Sequence, residues 1–176
     1  MRFVDFLRVT VLLSAGAASL LAALCVIGAG SRGTVTLVPF CAGWWAVAAT
    51  VGVALSRHAT TTPPIARLLA SAKQATMMPE HRPGATILNR LWPVLVSTIV
   101  AGAIAFLYPQ VPGIAAGFAI IWALAWRRQD SAVQAIEERD GVTFYVERTS
   151  PVRPIELVRM PGFRREVPTL PTTPTT

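Results

Sequence analysis

The stretch LWPVLVSTIVAGAIAFLYPQVPGIAAGFAIIWALAW, residues 91–126, is 36 residues long and contains no charged side chain. Arg90 precedes it and Arg127 follows it. A transmembrane helix needs about 20 apolar residues to cross ~30 Å of hydrocarbon, so the stretch has room for two short helices. The segment YPQVPG, residues 108–113, lies near its middle and is rich in turn residues. The stretch therefore predicts a helical hairpin in a bilayer, which either crosses fully or re-enters from one side.

Two more uncharged blocks precede this hairpin, with 23 residues between Arg8 and Arg32 and 24 between Arg32 and Arg57. The whole chain is 53% hydrophobic and only 14% charged, which is too apolar for an ordinary soluble domain. Each block is long enough for one crossing. The predicted fold is an all-α membrane protein with four transmembrane helices in two hairpins, over residues 9–28 and 34–56 and over residues 91–107 and 114–126.

The segment after Trp126 predicts a small cytoplasmic helix followed by a β-hairpin. The helix continues to Asp140-Gly141, and alternating apolar residues then indicate strands near residues 142–149 and 155–158. A two-stranded ribbon alone is marginal in water, so it must lean on the 57–90 loop, on a second copy or on a partner. We predict that a partner docks on the side chains of this ribbon, namely Phe144, Tyr145, Val146, Ile155 and Leu157.

The predicted organisation follows these blocks and the composition of the segments between them. A threonine and two prolines start a short helix near residue 62, whose apolar face suits either the membrane interface or an ordinary linker. The five predicted regions are a first hairpin at 1–56, a basic loop with a short interfacial helix at 57–90, a second hairpin at 91–126, a cytoplasmic helix and β-hairpin at 127–166, and a disordered tail at 167–176.

The formal net charge is +7, and most arginines stand beside the hydrophobic blocks rather than on one soluble face. This distribution favours contact with the lipid bilayer over nucleic acid, which we do not expect as a partner. Because positive flanks mark the cytoplasmic side, we expect both termini and the middle loop in the cytoplasm of a bacterium, with the spans in its inner (plasma) membrane. The predicted interface anchors are Arg90, Trp92, Trp126, Arg127 and Arg128.

Small residues recur every four positions along three of the predicted helices. Such seams let helices approach closely in lipid, so they favour a compact bundle. The predicted packing residues are Ala15, Ser19, Ala23, Ser97, Ala101, Ala105, Gly113 and Gly117.

The two cysteines, Cys25 and Cys41, both lie in apolar blocks. Counted from a turn at Ser31, their depths differ by about 6 Å at ~1.5 Å per residue. We therefore expect no disulfide between them and interpret both as small apolar fillers.

The sequence offers few groups for chemistry. No ionisable residue lies inside the blocks, and the hydroxyls there are expected to bond their own helix backbone. His58 and His81 have no second ligand at metal spacing, and no nucleotide or hydrolase motif occurs. The acids of residues 130–140 predict local ion pairs on a solvated helix. We thus expect no catalytic residue, no metal and no cofactor.

These features favour a non-enzymatic accessory, scaffold or assembly component that packs against another membrane protein or a second copy. The alternative is a small transporter or channel for an apolar or lipid-like solute. An enzyme acting at the membrane interface through Arg127, Arg128 and Glu137 is the third interpretation.

Overall fold

The computed structural model describes residues 1–34, 36–57, 63–74, 83–147 and 155–161. Of these residues 76% are helical, and the strands form one three-stranded sheet. The elements in chain order are α1 Phe3–Ser31, α2 Leu37–Leu55, α3 Pro63–Ala70, β1 Lys73–Gln74, α4 Pro83–Ile104, α5 Gln110–Trp126, α6 Gln129–Asp140, β2 Val142–Val146 and β3 Leu157–Pro161.

Three helices of the described part are long and apolar enough to cross a membrane. They are α1, α2 and the Ile87–Ile104 portion of α4. The fourth predicted crossing falls on α5, which has 17 residues and spans about 25 Å at ~1.5 Å per residue. A membrane protein is therefore the supported class, whereas the arrangement as four crossings in two hairpins stays a prediction.

The short helix α5 is the centre of the helical bundle. It packs along both α1 and α2, which make few contacts with each other, while α4 packs on α1 and α5. Two glycines allow this approach. A Cβ at Gly113 would lie 2.6 Å from Cys41 Sγ and 2.8 Å from Cys25 Sγ, and a Cβ at Gly117 would lie 2.6 Å from Cε2 of Trp44. The missing side chains bring the backbone of α5 against its neighbours.

The helix ends differ from the predicted ones for identifiable reasons. Helix α1 begins at Phe3 instead of residue 9 because its first residues are buried in a folded core. It also continues through Gly28 and Gly30, and the chain turns only where Gly33 adopts a φ of 67°. The predicted end of this helix at residue 28 is therefore three residues too early, since a glycine need not end a helix.

Prolines also lie within the helices of the predicted second hairpin, where they do not break the chain. Helix α4 begins at Pro83 and continues through Pro93, and α5 begins at Gln110 instead of residue 114. Pro112 fits the first turn of α5, where a backbone N–H has no intrahelical partner. The chain reverses instead at residues 105–109. Beyond α5 the predicted continuous helix is interrupted by a turn at residues 127–128.

A compact sheet module lies at one end of the bundle; it comprises the three strands, α3, α6 and the first turns of α1. The predicted hairpin is present as an antiparallel pair that runs from Val142↔Pro161 to Val146↔Leu157. Sequence reasoning missed β1, which pairs parallel to β3. The N-terminus extends the other side of the sheet, since Val146 N–H donates to the Met1 carbonyl at 3.0 Å.

The core of the sheet module contains three of the predicted docking residues. Phe144, Val146 and Leu157 are 3%, 3% and 2% exposed and lie in one cluster with apolar side chains of α1 and α3. The ribbon therefore leans on α1 and on segments of the 57–90 region. Among the predicted docking residues only Tyr145 and Ile155, both half-buried, keep part of their surface.

Two ion pairs connect α6 to the start of α1. Arg2 Nη2 lies 2.9 Å from Glu137 Oε2, and Arg8 Nε lies 3.0 Å from Asp130 Oδ2. The Glu137 hydrogen bond raises the pKa of Arg2. The expectation of purely local pairs is thus wrong for these acids, because the N-terminal segment folds onto α6.

The opposite end of the bundle consists of two chain reversals, which we call the tips. Arg32, which follows α1, donates hydrogen bonds to the carbonyls of Leu107 and Phe106, which follow α4. Carbonyls at a helix end have no intrahelical donor, so a cation there satisfies them. The tips therefore lie together, and the sheet module and both described termini lie at the other end.

Candidate functional site

A lateral cavity of about 670 Å³ lies between residues 10–21 of α1, 90–98 of α4 and 115–126 of α5. Phe3, Phe6 and Ile65 of the sheet module line one end of it. This volume is within the roughly 300–1,000 Å³ of small-molecule sites in proteins. The cavity is therefore large enough to receive a small-molecule ligand.

The pattern of residues on α1 explains why a cavity forms there. The lining positions Phe3, Phe6, Thr10, Ser14 and Ala17 are separated by three or four residues, so they share one helix face. On the facing α5 the wall includes the small residues Ala115 and Ala119. Helices α1 and α5 pack closely on each other, and the space remains on the side of α4, which contacts both of them less.

The polar atoms of the wall are already engaged. Four lining residues carry a hydroxyl, and each donates to a carbonyl of its own helix: Thr10 to Phe6 at 2.8 Å, Ser14 to Thr10 at 2.8 Å, Ser97 to Val94 at 3.0 Å and Thr98 to Val94 at 2.7 Å. This agrees with the expectation from the sequence. The hydroxyl-bearing part of the wall therefore presents an apolar surface to an occupant.

Among the described residues that line the lateral cavity, Arg90 is the one that carries a charge. It lies 14 residues before Ile104, about 21 Å along α4 at ~1.5 Å per residue, and so toward the sheet module. Trp126 of α5 also lines the cavity and has its ring 5.5 Å from that of Trp122. The cavity thus has one cationic end and one apolar end.

The remaining predicted anchors lie near this cationic end but outside the wall. Trp92 is exposed on α4 and does not line the cavity. Arg127 and Arg128 are exposed in the turn that follows α5. The five anchors are thus all close to the module end of α4 and α5.

The predicted packing residues divide into two groups. Ala101, Ala105, Gly113 and Gly117 are buried inside the bundle, and Ser97 lines the cavity. By contrast Ala15, Ser19 and Ala23 lie on an exposed face of α1, which no helix of the described part covers.

The cysteines lie closer together than expected. The Sγ atoms of Cys25 and Cys41 are 3.6 Å apart, and both side chains are buried as free thiols. The depth argument failed because α2 begins at Leu37 and not at a turn on Ser31. Cys25 is six residues before the end of α1, and Cys41 is four residues after the start of α2. Their depths are therefore similar.

Groups for other chemistry are sparse in the described ranges. Within them no three histidine, cysteine, aspartate or glutamate side chains come close enough to hold a metal ion. His58 and His81 lie outside the described residues. The expected lack of a metal, a cofactor and a catalytic residue stays a prediction.

A second cavity, of about 620 Å³, lies at the tips. It is lined by Arg32 and by residues such as Phe40 and Gln110. Because the Arg32 guanidinium is already bonded to two carbonyls, this cavity offers a weaker ligand site than the lateral cavity.

No known protein family, curated protein or solved structure matches this chain. Among the features of the described residues, the lateral cavity gives the best indication of a function.

Proposed function

We propose that this membrane protein binds a lipid-like apolar molecule in the lateral cavity and does so without catalysing a reaction. One observation carries the proposal. The cavity has a volume of about 670 Å³ and a wall whose hydroxyls are all satisfied by their own helices. Away from Arg90 and the Trp126 indole at one end, such a wall offers dispersion contacts and no open hydroxyl, so it selects the apolar chain of a ligand.

Access from the bilayer supports a lipid-like occupant. Phe118 and Trp122 line the cavity and are 54% and 57% exposed. A side of the cavity lined by half-exposed aromatic residues of a membrane helix is open to acyl chains in the bilayer. The ligand would thus enter laterally, without passing through water.

Binding is better supported than transport. The lining residues of α1 end at Leu21, which is 10 residues and about 15 Å before Ser31 at the tips. A transport pathway needs a route to both ends, and the lateral cavity stops short of one. Of the alternative function, a small transporter or channel for an apolar or lipid-like solute, we therefore keep the lipid-like molecule as a bound ligand and leave out the transport.

The test compares two bulky substitutions on the same helix. Ser97→Phe would fill the cavity, whereas Ala103→Phe changes an exposed position outside it. Native mass spectrometry of protein purified in mild detergent is expected to find a bound amphiphile on the wild type and on Ala103→Phe, and to find it lost from Ser97→Phe. Wild-type protein without a bound amphiphile, or equal retention by both variants, would overturn the proposal.

The assembly role is the second candidate. It is supported by the exposed seam of Ala15, Ser19 and Ala23, where the Ser19 hydroxyl is satisfied by the Ala15 carbonyl at 3.0 Å. A partner helix, from a second copy or another membrane protein, could approach such a seam closely. Oxidative crosslinking of Ser19→Cys in membranes is expected to give a dimer if the partner is a second copy. The matched Leu20→Cys variant, on a bulkier exposed position, is expected to give less.

We also propose that the protein lies in a bacterial plasma membrane with its sheet module in the cytoplasm. Basic residues are concentrated at the module end, whereas Arg32 is the single basic residue at the described tips. This asymmetry fits the positive-inside rule. An impermeant thiol reagent is expected to label Thr34→Cys in intact cells and Ser131→Cys only after permeabilisation, in a background without Cys25 and Cys41. The reverse pattern would contradict this orientation.

A further inference from the structure

The two ends of the lateral cavity differ in polarity, since Arg90 lines one end and apolar side chains line the other. Resting on that proposed function, we infer that the occupant is an anionic glycerophospholipid of the leaflet next to the sheet module. Its phosphate lies beside Arg90, and one acyl chain extends along α1 toward Leu21. Depth, end polarity and surrounding charge each support this occupant.

The depth of the cavity matches one leaflet. On α1 the lining residues outside the sheet-module core extend from Thr10 to Leu21. These 11 residue steps correspond to about 16 Å at ~1.5 Å per residue. Half of a hydrocarbon layer of ~30 Å has nearly the same thickness. A chain anchored at the module end would therefore reach the far end of the cavity without leaving its own leaflet.

The two ends of the cavity suit the two ends of a phospholipid. Leu21, Ala17 and Ala115 line the deep end and carry no polar side-chain atom. Arg90 and the indole of Trp126 line the end near the sheet module. An arginine can donate several hydrogen bonds to phosphate oxygens, and an indole is favoured at the headgroup level. The arrangement orients an amphiphile with its headgroup toward the module.

The charges around the mouth favour an anionic headgroup. Arg67 belongs to α3, whose Ile65 and Leu68 line the cavity, and Arg127 and Arg128 directly follow Trp126. All three arginines are exposed, and none forms an ion pair with an acid of the described ranges.

Nearby acids do not cancel this positive charge. Glu137, Asp130 and Glu156 are paired with Arg2, Arg8 and Lys73 respectively. Asp5 is exposed and does not line the cavity. The mouth of the cavity therefore keeps a net positive field.

The experiment measures the binding of two defined lipids by the purified full-length chain after exhaustive delipidation. Phosphatidylglycerol and phosphatidylcholine with identical chains are titrated in a neutral detergent and followed by native mass spectrometry. We expect phosphatidylglycerol to bind at least tenfold more tightly. Loss of one nearby positive charge is expected to reduce this preference about fivefold.

Variants assign the preference to Arg90. Arg90→Gln is expected to lose about fivefold of the preference, while Arg90→Lys keeps most of it. Arg57→Gln, at the exposed end of α2 and outside the cavity, is expected to keep all of it. Thermal unfolding of each variant in the same detergent verifies that the fold is retained, and Arg90→Met, with the same expected loss as Arg90→Gln, carries the comparison if the Gln variant unfolds.

Each outcome has a distinct meaning. Equal binding of the two lipids would overturn the anionic headgroup while leaving lipid binding intact. An unchanged preference in Arg90→Gln, or an equal loss in Arg57→Gln, would overturn the position of the phosphate. Failure of both lipids to bind would overturn the proposed function itself.

Discussion

Replacement of Gly117 by alanine tests the packing of α5 against α2. An added Cβ would lie 2.6 Å from Cε2 and 2.7 Å from Cδ1 of the Trp44 indole, whereas carbon atoms in good contact are about 3.5–4.0 Å apart. The indole Nε1 would lie closer still, so the ring must move by more than about 1 Å, and overpacking of this kind costs about 1–3 kcal/mol.

The movement also disturbs two further contacts of the indole. Trp44 Nε1 donates to the Ile114 carbonyl at 3.2 Å, and its ring meets Phe118 edge-on with centroids 5.6 Å apart. A net hydrogen bond contributes about 1 kcal/mol, and an aromatic pair contributes about 0.5–1.5 kcal/mol. Partial loss of these contacts brings the expected destabilisation by Gly117→Ala to about 3 kcal/mol.

A double-mutant cycle isolates the predicted cause. The three atoms nearest to the added methyl group at position 117 all belong to the Trp44 indole, so its cost is expected to fall close to zero in a Trp44→Ala background. Gly43→Ala is the matched control, because a Cβ at Gly43 meets nothing within 4 Å. It is expected to leave stability unchanged or to raise it by up to about 1 kcal/mol, since alanine favours a helix over glycine.

The free energy of unfolding can be measured by titration with a denaturing detergent, followed by far-ultraviolet circular dichroism. The reasoning would be refuted by a Gly117→Ala cost below about 1 kcal/mol, or by the same cost with and without the indole.

Three further predictions concern other contacts. Oxidation of membranes with a permeant catalyst is expected to join Cys25 to Cys41, whose Sγ atoms are 3.6 Å apart, and maleimide labelling that persists after denaturation would contradict this. Glu137→Gln removes the charge that pairs with Arg2 at 2.9 Å and is expected to lower the unfolding free energy by about 1–3 kcal/mol, so a change below about 0.5 kcal/mol would count against it. Arg32→Gln removes the cation from two exposed carbonyls and is expected to cost about 0.5–1.5 kcal/mol in the same assay, whereas wild-type stability would contradict that role.

The membrane helices could be predicted from the sequence because hydrophobic length alone identifies them. The strand at Val142–Val146 was also predictable, because Val142, Phe144 and Val146 alternate and all three are buried. The second strand was predicted at residues 155–158, and the structure has it at Leu157–Pro161. The strand Lys73–Gln74 was not, since two polar residues carry no periodic signal and their pairing with β3 depends on the tertiary fold.

The candidate site was harder to predict, since it depends on which helices face each other. Ala115 and Ala119 have the four-residue spacing of a packing seam, yet in the fold they line the lateral cavity together with Ser14. The same small-residue spacing serves a tight contact at Gly113 and Gly117. Spacing in the sequence cannot distinguish the two, because the difference lies in the size of the side chains on the opposing helix.

The position of Arg90 in the lateral cavity could not be predicted from the sequence either. The sequence indicated an interface anchor at the edge of an apolar block, which is the usual position of a basic residue near a membrane. The fold adds that Arg90 lines a cavity whose opposite end is apolar. Only the three-dimensional arrangement connects this residue with Leu21, 69 positions earlier in the chain.

Photocrosslinking with a phospholipid that carries a diazirine at the middle of one acyl chain tests lipid binding in the lateral cavity most directly. After irradiation in native membranes and peptide mapping, labelling is expected at the cavity positions Ala17 and Ala115. Labelling spread evenly over the exposed positions Leu12, Ile99 and Phe106, with no enrichment in the cavity, would contradict the account.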